Sequence, residues 1–136
     1  MVIPYLQCML IVAATVGLPP RVLPVIQSIE GGSVGTIRPD QNGTADLGVM
    51  QINTIWVPAL SARAGLTPTE TAHRLVYDPC FNIAASALIL RSYLAETNGA
   101  LLPAIGDYHS HTPALNNAYT AMAENKAREL FADQHP

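Results

Sequence analysis

Charge is what this sequence has least of. Only 12% of its 136 residues are Asp, Glu, Lys or Arg, and the seven basic side chains are scattered among ten acidic ones. A nucleic-acid-binding surface needs clustered positive charge, so nucleic acid is a poor expected partner. The net charge of −3 points to no other partner by itself. Aromatics are also few, at 6%, with a single Trp at position 56. No apolar run reaches the roughly 20 residues a membrane-spanning helix needs. The nearest, "CMLIVAATVGLPP", has the look of the apolar part and cleavage region of an export leader, but "MVIPYLQ" before it lacks the Lys or Arg of a leader's start. It reads as a core helix; an exported protein with this start has lost its leader, or carries Met1 as an added start. No repeat, low-complexity tract or convincing alternating strand is visible.

Cysteine is nearly missing as well. Cys8 and Cys80 stand alone, whereas zinc sites use closely spaced ligand pairs, so no metal site is expected from them. They fit buried thiols in a reducing compartment or one disulfide in an oxidising one. Spacing does not decide between the two.

What is there is apolar and helical. Hydrophobic residues make up 49% of a chain long enough for one domain, taken as residues 1–136. Leu6, Met9, Leu10 and Ala13 recur at helical spacing before Gly17. A second helix begins near Pro20, tolerates Pro24 in its first turns, turns Val22, Leu23 and Ile26 inward and ends on Glu30. Asp46 is the expected cap of a helix through "LGVMQINTIWVPAL". Thr67, Pro68 and Glu70 form a capping-box pattern. Asp78 and Pro79 open the strongest helix, apolar nearly all round, and Asn98-Gly99 stops it. Two further helices run through "ALLPAIGDYHSHTP" and "ALNNAYTAMAENKARELFAD". The expected fold is all-α.

One stretch does not serve that scaffold. "SIEGGSVGTIRPDQNGTADLGVMQIN", Ser28 to Asn53, is long for a connection between helices, and long ordered loops tend to be functional. Glu30 follows an apolar run and precedes Gly31-Gly32, which allow a sharp turn and close ligand approach. A carboxyl shielded by apolar neighbours, away from Lys or Arg and at the negative end of a helix, holds its proton to higher pH. That suits a general acid. An exposed helix-end residue is the plainer reading of Glu30 and its glycines alone.

Further blocks alter the balance. "SIEGG…NGTADLGVMQIN…W", then "DPCFNIAASALIL" and "AIGDYHS", resemble the lytic transglycosylases of lysozyme-like fold, over roughly residues 5–120. The loops have the form of the small exported members associated with conjugation, type IV secretion or pilus machinery. The resemblance implies a compact lysozyme-like domain with an active-site cleft and Glu30 as its only catalytic carboxylate. It implies a cleft block of Gly48, Met50 and Gln51, with Gln51 holding a sugar N-acetyl or hydroxyl group and Met50 lining the wall. Asn82 matches a buried polar position that ties backbone together beneath the cleft or binds directly. Tyr108 matches the cleft tyrosine, hydrogen-bonding acid or substrate, or serving as an ordinary interfacial aromatic.

There are departures. Glu30-Gly31 replaces the broader family's Glu-Ser. Asp107-Tyr108-His109-Ser110-His111 replaces an Ala-Tyr-Asn-Gly segment. His109 and His111 are expected at the rim without a metal, and Trp56 in the core. Asn53 stands where some related lysozymes have an aspartate, which favours one-carboxylate chemistry on peptidoglycan glycan strands. In it Glu30 protonates the oxygen between N-acetylmuramic acid and N-acetylglucosamine, then deprotonates the C6 hydroxyl to close a 1,6-anhydro ring, without metal or cofactor. Since peptidoglycan lies outside the cytoplasmic membrane, the resemblance also implies an exported, periplasmic or cell-envelope protein with a Cys8–Cys80 disulfide. Two alternatives stay open: a lysozyme-type hydrolase with Asp40 or Asp46 as base, and a non-catalytic peptidoglycan-binding component of a secretion apparatus.

Overall fold

The computed structural model describes residues 2–132; Met1 and the expected end of the last helix at Asp133 lie outside them. The first helix, α1, runs Leu6–Val16 and ends where Gly17 takes φ +77° and donates its N–H to the Ala13 carbonyl. Met9 and Ala13 face inward, while Leu10, at the same spacing, is 43% exposed. Helix α2, Val22–Glu30, buries Val22, Leu23 and Ile26. Pro24 lies in its first turn, where an N–H has no intrahelical partner to lose.

Within this mostly helical fold, the stretch after α2 holds a small sheet where a helix through "LGVMQINTIWVPAL" is expected. The strands β1 (Ile37–Pro39), β2 (Ala45–Leu47) and β3 (Ile52–Asn53) form an antiparallel sheet in the order β1-β2-β3. Leu47 faces both Ile37 and Ile52, and Asp46 faces both Arg38 and Asn53. Strands this short show no alternation long enough to read from sequence. Asp46 is thus a strand residue and caps nothing. The cap is Asn53, whose side chain accepts the Ile55 N–H at 3.0 Å to open a 3₁₀ turn, Thr54–Trp56, ahead of helix α3, Val57–Ala64.

The remaining helices follow the sequence signals closely. Helix α4, Pro68–Tyr77, is capped by Thr67, whose hydroxyl accepts the Glu70 N–H at 3.1 Å. Helix α5, Pro79–Glu96, opens on Asp78, which accepts the Phe81 N–H at 3.1 Å. Asn98 and Gly99 both take positive φ beyond its end. Helices α6 (Leu101–His109) and α7 (Pro113–Phe131) follow as the last elements among the described residues. The central α5 packs against α1, α4 and α6, and α7 packs on α6 and α2. A Cys8–Cys80 disulfide joins α1 to the start of α5. The expected compact helical scaffold is present, with the small sheet set into it.

Asn82 pins that sheet. It is fully buried; its Oδ1 accepts the Met50 N–H, and its Nδ2 donates to the carbonyls of Leu47 and Leu75, each at 2.8 Å. Replacing it by Ala removes a hydrogen bond from each of three backbone groups, each loss costing about 1–3 kcal/mol. Asn82→Ala is expected to lower the unfolding free energy by roughly 3–5 kcal/mol, read from urea denaturation. A loss below about 1 kcal/mol would show that water replaces the amide there.

Candidate active site

A cleft of about 350 Å³ opens between the sheet and the α5–α6 wall. Glu30, the last residue of α2, reaches it because Gly31 takes φ +67° and turns the chain away. Gly32 then runs so close to the sheet that a Cβ there would lie 2.0 Å from the Gly48 carbonyl. The first glycine thus serves the turn and the second serves close approach.

The Glu30 carboxylate accepts a 2.6 Å hydrogen bond from the Tyr119 hydroxyl, across 89 positions of sequence. Burial pushes the Glu30 pKa above its ordinary value; Tyr119, His109 and Arg38 pull it down and Asp46 pushes it up, none as strongly as burial. Burial and the neighbouring Glu30 raise the Tyr119 pKa, so its proton stays on oxygen and the phenol remains the donor. The expectation that Arg and Lys stand apart from Glu30 needs correction. Arg38 donates to the Glu30 carbonyl at 3.0 Å and to the Gly31 carbonyl at 3.3 Å, covering the negative end of α2. Desolvation, more than the helix end, is what raises the Glu30 pKa.

Asp40, Asp46 and Asn53 line the same cleft. Asn53 Nδ2 lies 3.0 Å from Asp40 Oδ2, Asp46 Oδ1 and Thr44 Oγ1 alike, so one amide ties both carboxylates to the sheet. Burial, ahead of the nearby Asp40, raises the Asp46 pKa. Gln51 lines the cleft with φ +54°, uncommon for a residue with a Cβ. Its Nε2 donates to the Gly48 carbonyl at 2.9 Å, which fixes the amide, and its buried Oε1 has no hydrogen-bond partner among the described residues.

The opposite wall carries Tyr108 and His109. The Tyr108 hydroxyl lies 3.0 Å from Ser86 Oγ and donates to the Met50 carbonyl at 3.3 Å. It is Tyr119, and not Tyr108, that touches Glu30. His109 stacks on Tyr119 at 6° between ring planes and 4.8 Å between centroids. Trp56 lines the cleft half-buried, its ring edge-on to Tyr93. His111 stands at the rim, as expected.

Of the residues singled out from sequence, Glu30, Gln51, Asn53 and Tyr108 come together in the cleft. Gly48, Met50 and Asn82 lie beneath it: Met50 and Asn82 are fully buried, and Gly48 takes φ +71° against the Leu75 carbonyl. Sequence reasoning missed Tyr119, which reads as one more aromatic on an amphipathic helix and meets Glu30 only once α7 docks on α2.

The whole constellation falls within residues 14–131, the span over which the chain matches the Transglycosylase SLT domain. The chain belongs to that family. No curated protein matches it. SLT domains are lytic transglycosylases, so the family implies peptidoglycan as substrate and action outside the cytoplasm. No helix among the described residues is long and apolar enough to cross a membrane.

Proposed function

We propose that this SLT domain is a peptidoglycan lytic transglycosylase in which Glu30 acts first as acid and then as base. The observation that carries the reading is a largely buried carboxyl in a cleft, its pKa raised by that burial and its oxygen held by a tyrosine hydroxyl. Glu30 donates its proton to the oxygen between N-acetylmuramic acid and N-acetylglucosamine, and the C1–O bond breaks. The muramic acetamido oxygen stabilises the positive charge at C1. Glu30, now ionised, takes the C6 hydroxyl proton as O6 bonds to C1. The products are a 1,6-anhydromuramic end and a free N-acetylglucosamine end, with no water consumed.

Gln51 lines the cleft with its amide fixed on the Gly48 carbonyl, which supports a role in holding a sugar group. Asn53 and Tyr108 stand in the cleft where they can meet glycan hydroxyls. Gly48, Met50 and Asn82 support the site from below, through the turn that carries Gln51. The Cys8–Cys80 bond suits an exported protein. The EGG…NGT…DLG…MQIN loops support service to a secretion, conjugation or pilus machine.

Mass spectrometry of digested peptidoglycan tests the reaction. Anhydromuropeptides are expected from the protein and not from Glu30→Gln. A hydrolase is the second reading, favoured by Asp40 and Asp46 lining the same cleft; reducing-end products would establish it. No products from either protein would favour the non-catalytic role.

Tyr119→Phe probes the acid directly. The Tyr119 bond favours the ionised carboxylate, so its loss moves the Glu30 pKa further up. The alkaline limb of the kcat/KM profile, set by loss of the acid's proton, is expected to move to higher pH, with a rate loss of about tenfold. A limb that moves to lower pH would contradict this assignment.

A further inference from the structure

A second group of chemically capable side chains stands at the cleft wall, unused by the proposed reaction. Glu96 at the end of α5, Asp107 in α6 and His111 just beyond α6 bring an imidazole and two carboxylates together. Their ligand-capable atoms all lie within 4.8 Å of one another. His111 Nε2 hydrogen-bonds Glu96 Oε1 and lies 3.8 Å from Asp107 Oδ2. Nitrogen and oxygen donors at about 2.1 Å from a tetrahedral ion stand about 3.4 Å apart. Side-chain adjustments of about an ångström therefore bring all three donors onto one cation.

Two of the three are oriented from outside the group. Asn116 Nδ2 donates to Asp107 Oδ1 at 2.9 Å and leaves Oδ2 turned toward His111. The Tyr93 ring sits edge-on to the His111 imidazole, with centroids 5.5 Å apart. Such outer partners are what hold ligating side chains in place. An imidazole beside two carboxylates suits zinc and its neighbours, whereas calcium and magnesium take oxygen donors.

We propose that Glu96, Asp107 and His111 bind a divalent transition-metal cation of the zinc class at the cleft wall. Three protein donors leave a fourth position for water or a ligand group. Asp107 and His111 line the cleft, so the cation borders the space the glycan would occupy. It also clips the end of α5 to the turn between α6 and α7. The site is independent of the role of Glu30, because a cation binds there whether or not that residue is catalytic.

The test is titration of the chelator-treated full chain with CoCl2, followed by visible absorbance, and with ZnCl2, followed by calorimetry. One equivalent is expected to bind. His111→Ala and Asp107→Asn should each weaken binding at least tenfold, while His73→Ala and His135→Ala leave it unchanged. Zinc should raise the thermal midpoint of the unsubstituted protein and of the two control variants, but not of His111→Ala or Asp107→Asn. Circular dichroism confirms that the variants are folded. Absence of binding to the unsubstituted protein overturns the proposal, and so does binding that follows His73 or His135 in place of His111.

Discussion

Glu30→Gln is expected to abolish glycan cleavage, lowering kcat/KM by at least about a thousandfold, because in the proposed reaction both proton transfers run through this one group. The substitution should also stabilise the protein. Burial raises the native Glu30 pKa above its ordinary 4.5. Between 4.5 and the raised native value, the unfolded chain has released this proton while the folded chain still holds it. The stability contributed by Glu30 is therefore fully present below the unfolded value and falls away as pH rises through the native one. Gln has no proton to release and can still accept the Tyr119 hydroxyl. The variant should thus be more stable than the parent at pH 8, with the advantage disappearing below pH 4.5. Paired urea titrations at the two pH values measure this. A variant less stable than the parent at pH 8 would show that the carboxylate is well accommodated, and the case for Glu30 as acid would fail with it.

The second large effect concerns folding. Gly48→Ala places a methyl group 2.1 Å from the Leu75 carbonyl oxygen and 2.5 Å from Asn82 Nδ2, at a backbone φ of +71°. Neither neighbour can retreat, since the Asn82 amide donates to that same carbonyl. The expected loss is more than about 4 kcal/mol, enough to consume much of a small domain's stability. Gly43→Ala is the matched comparison: φ is +85° there, but a methyl group would meet nothing within 4 Å. That change carries backbone strain alone, about 1–2 kcal/mol. Similar losses at both positions, by calorimetry or denaturant, would mean that the close approach of Gly48 to α4 and α5 is not what demands glycine.

The helices were legible because their ends carry local chemistry. Thr67, Asp78 and Asn98-Gly99 mark boundaries through hydrogen bonds and φ values set within a few residues. The sheet was not legible. Its strands are two or three residues long, and their pairing depends on Leu47 meeting Ile37 and Ile52 across turns that no periodicity describes. Mistaking this region for a helix made Asp46 a cap, when it faces Asn53 in a strand pair. Glu30 and Gln51 could be singled out from the chain because unusual neighbours surround them. Tyr119 could not, since its meaning is purely topological. Arg38 was overlooked for a related reason: its guanidinium reaches back eight positions to the Glu30 carbonyl, which only the path of the loop reveals.

The contact between Glu30 and Tyr119 also imposes an order on the protein's assembly. Glu30 belongs to the second helix, but the side chain that covers it belongs to the last. A chain emerging from its N-terminus presents α2 well before α7, so Glu30 waits for the side chain that covers it. Until α7 settles, the Glu30 carboxyl lacks the Tyr119 hydrogen bond. The surroundings of Glu30 are therefore complete only once a helix whose tyrosine lies 89 positions further along has docked on α2.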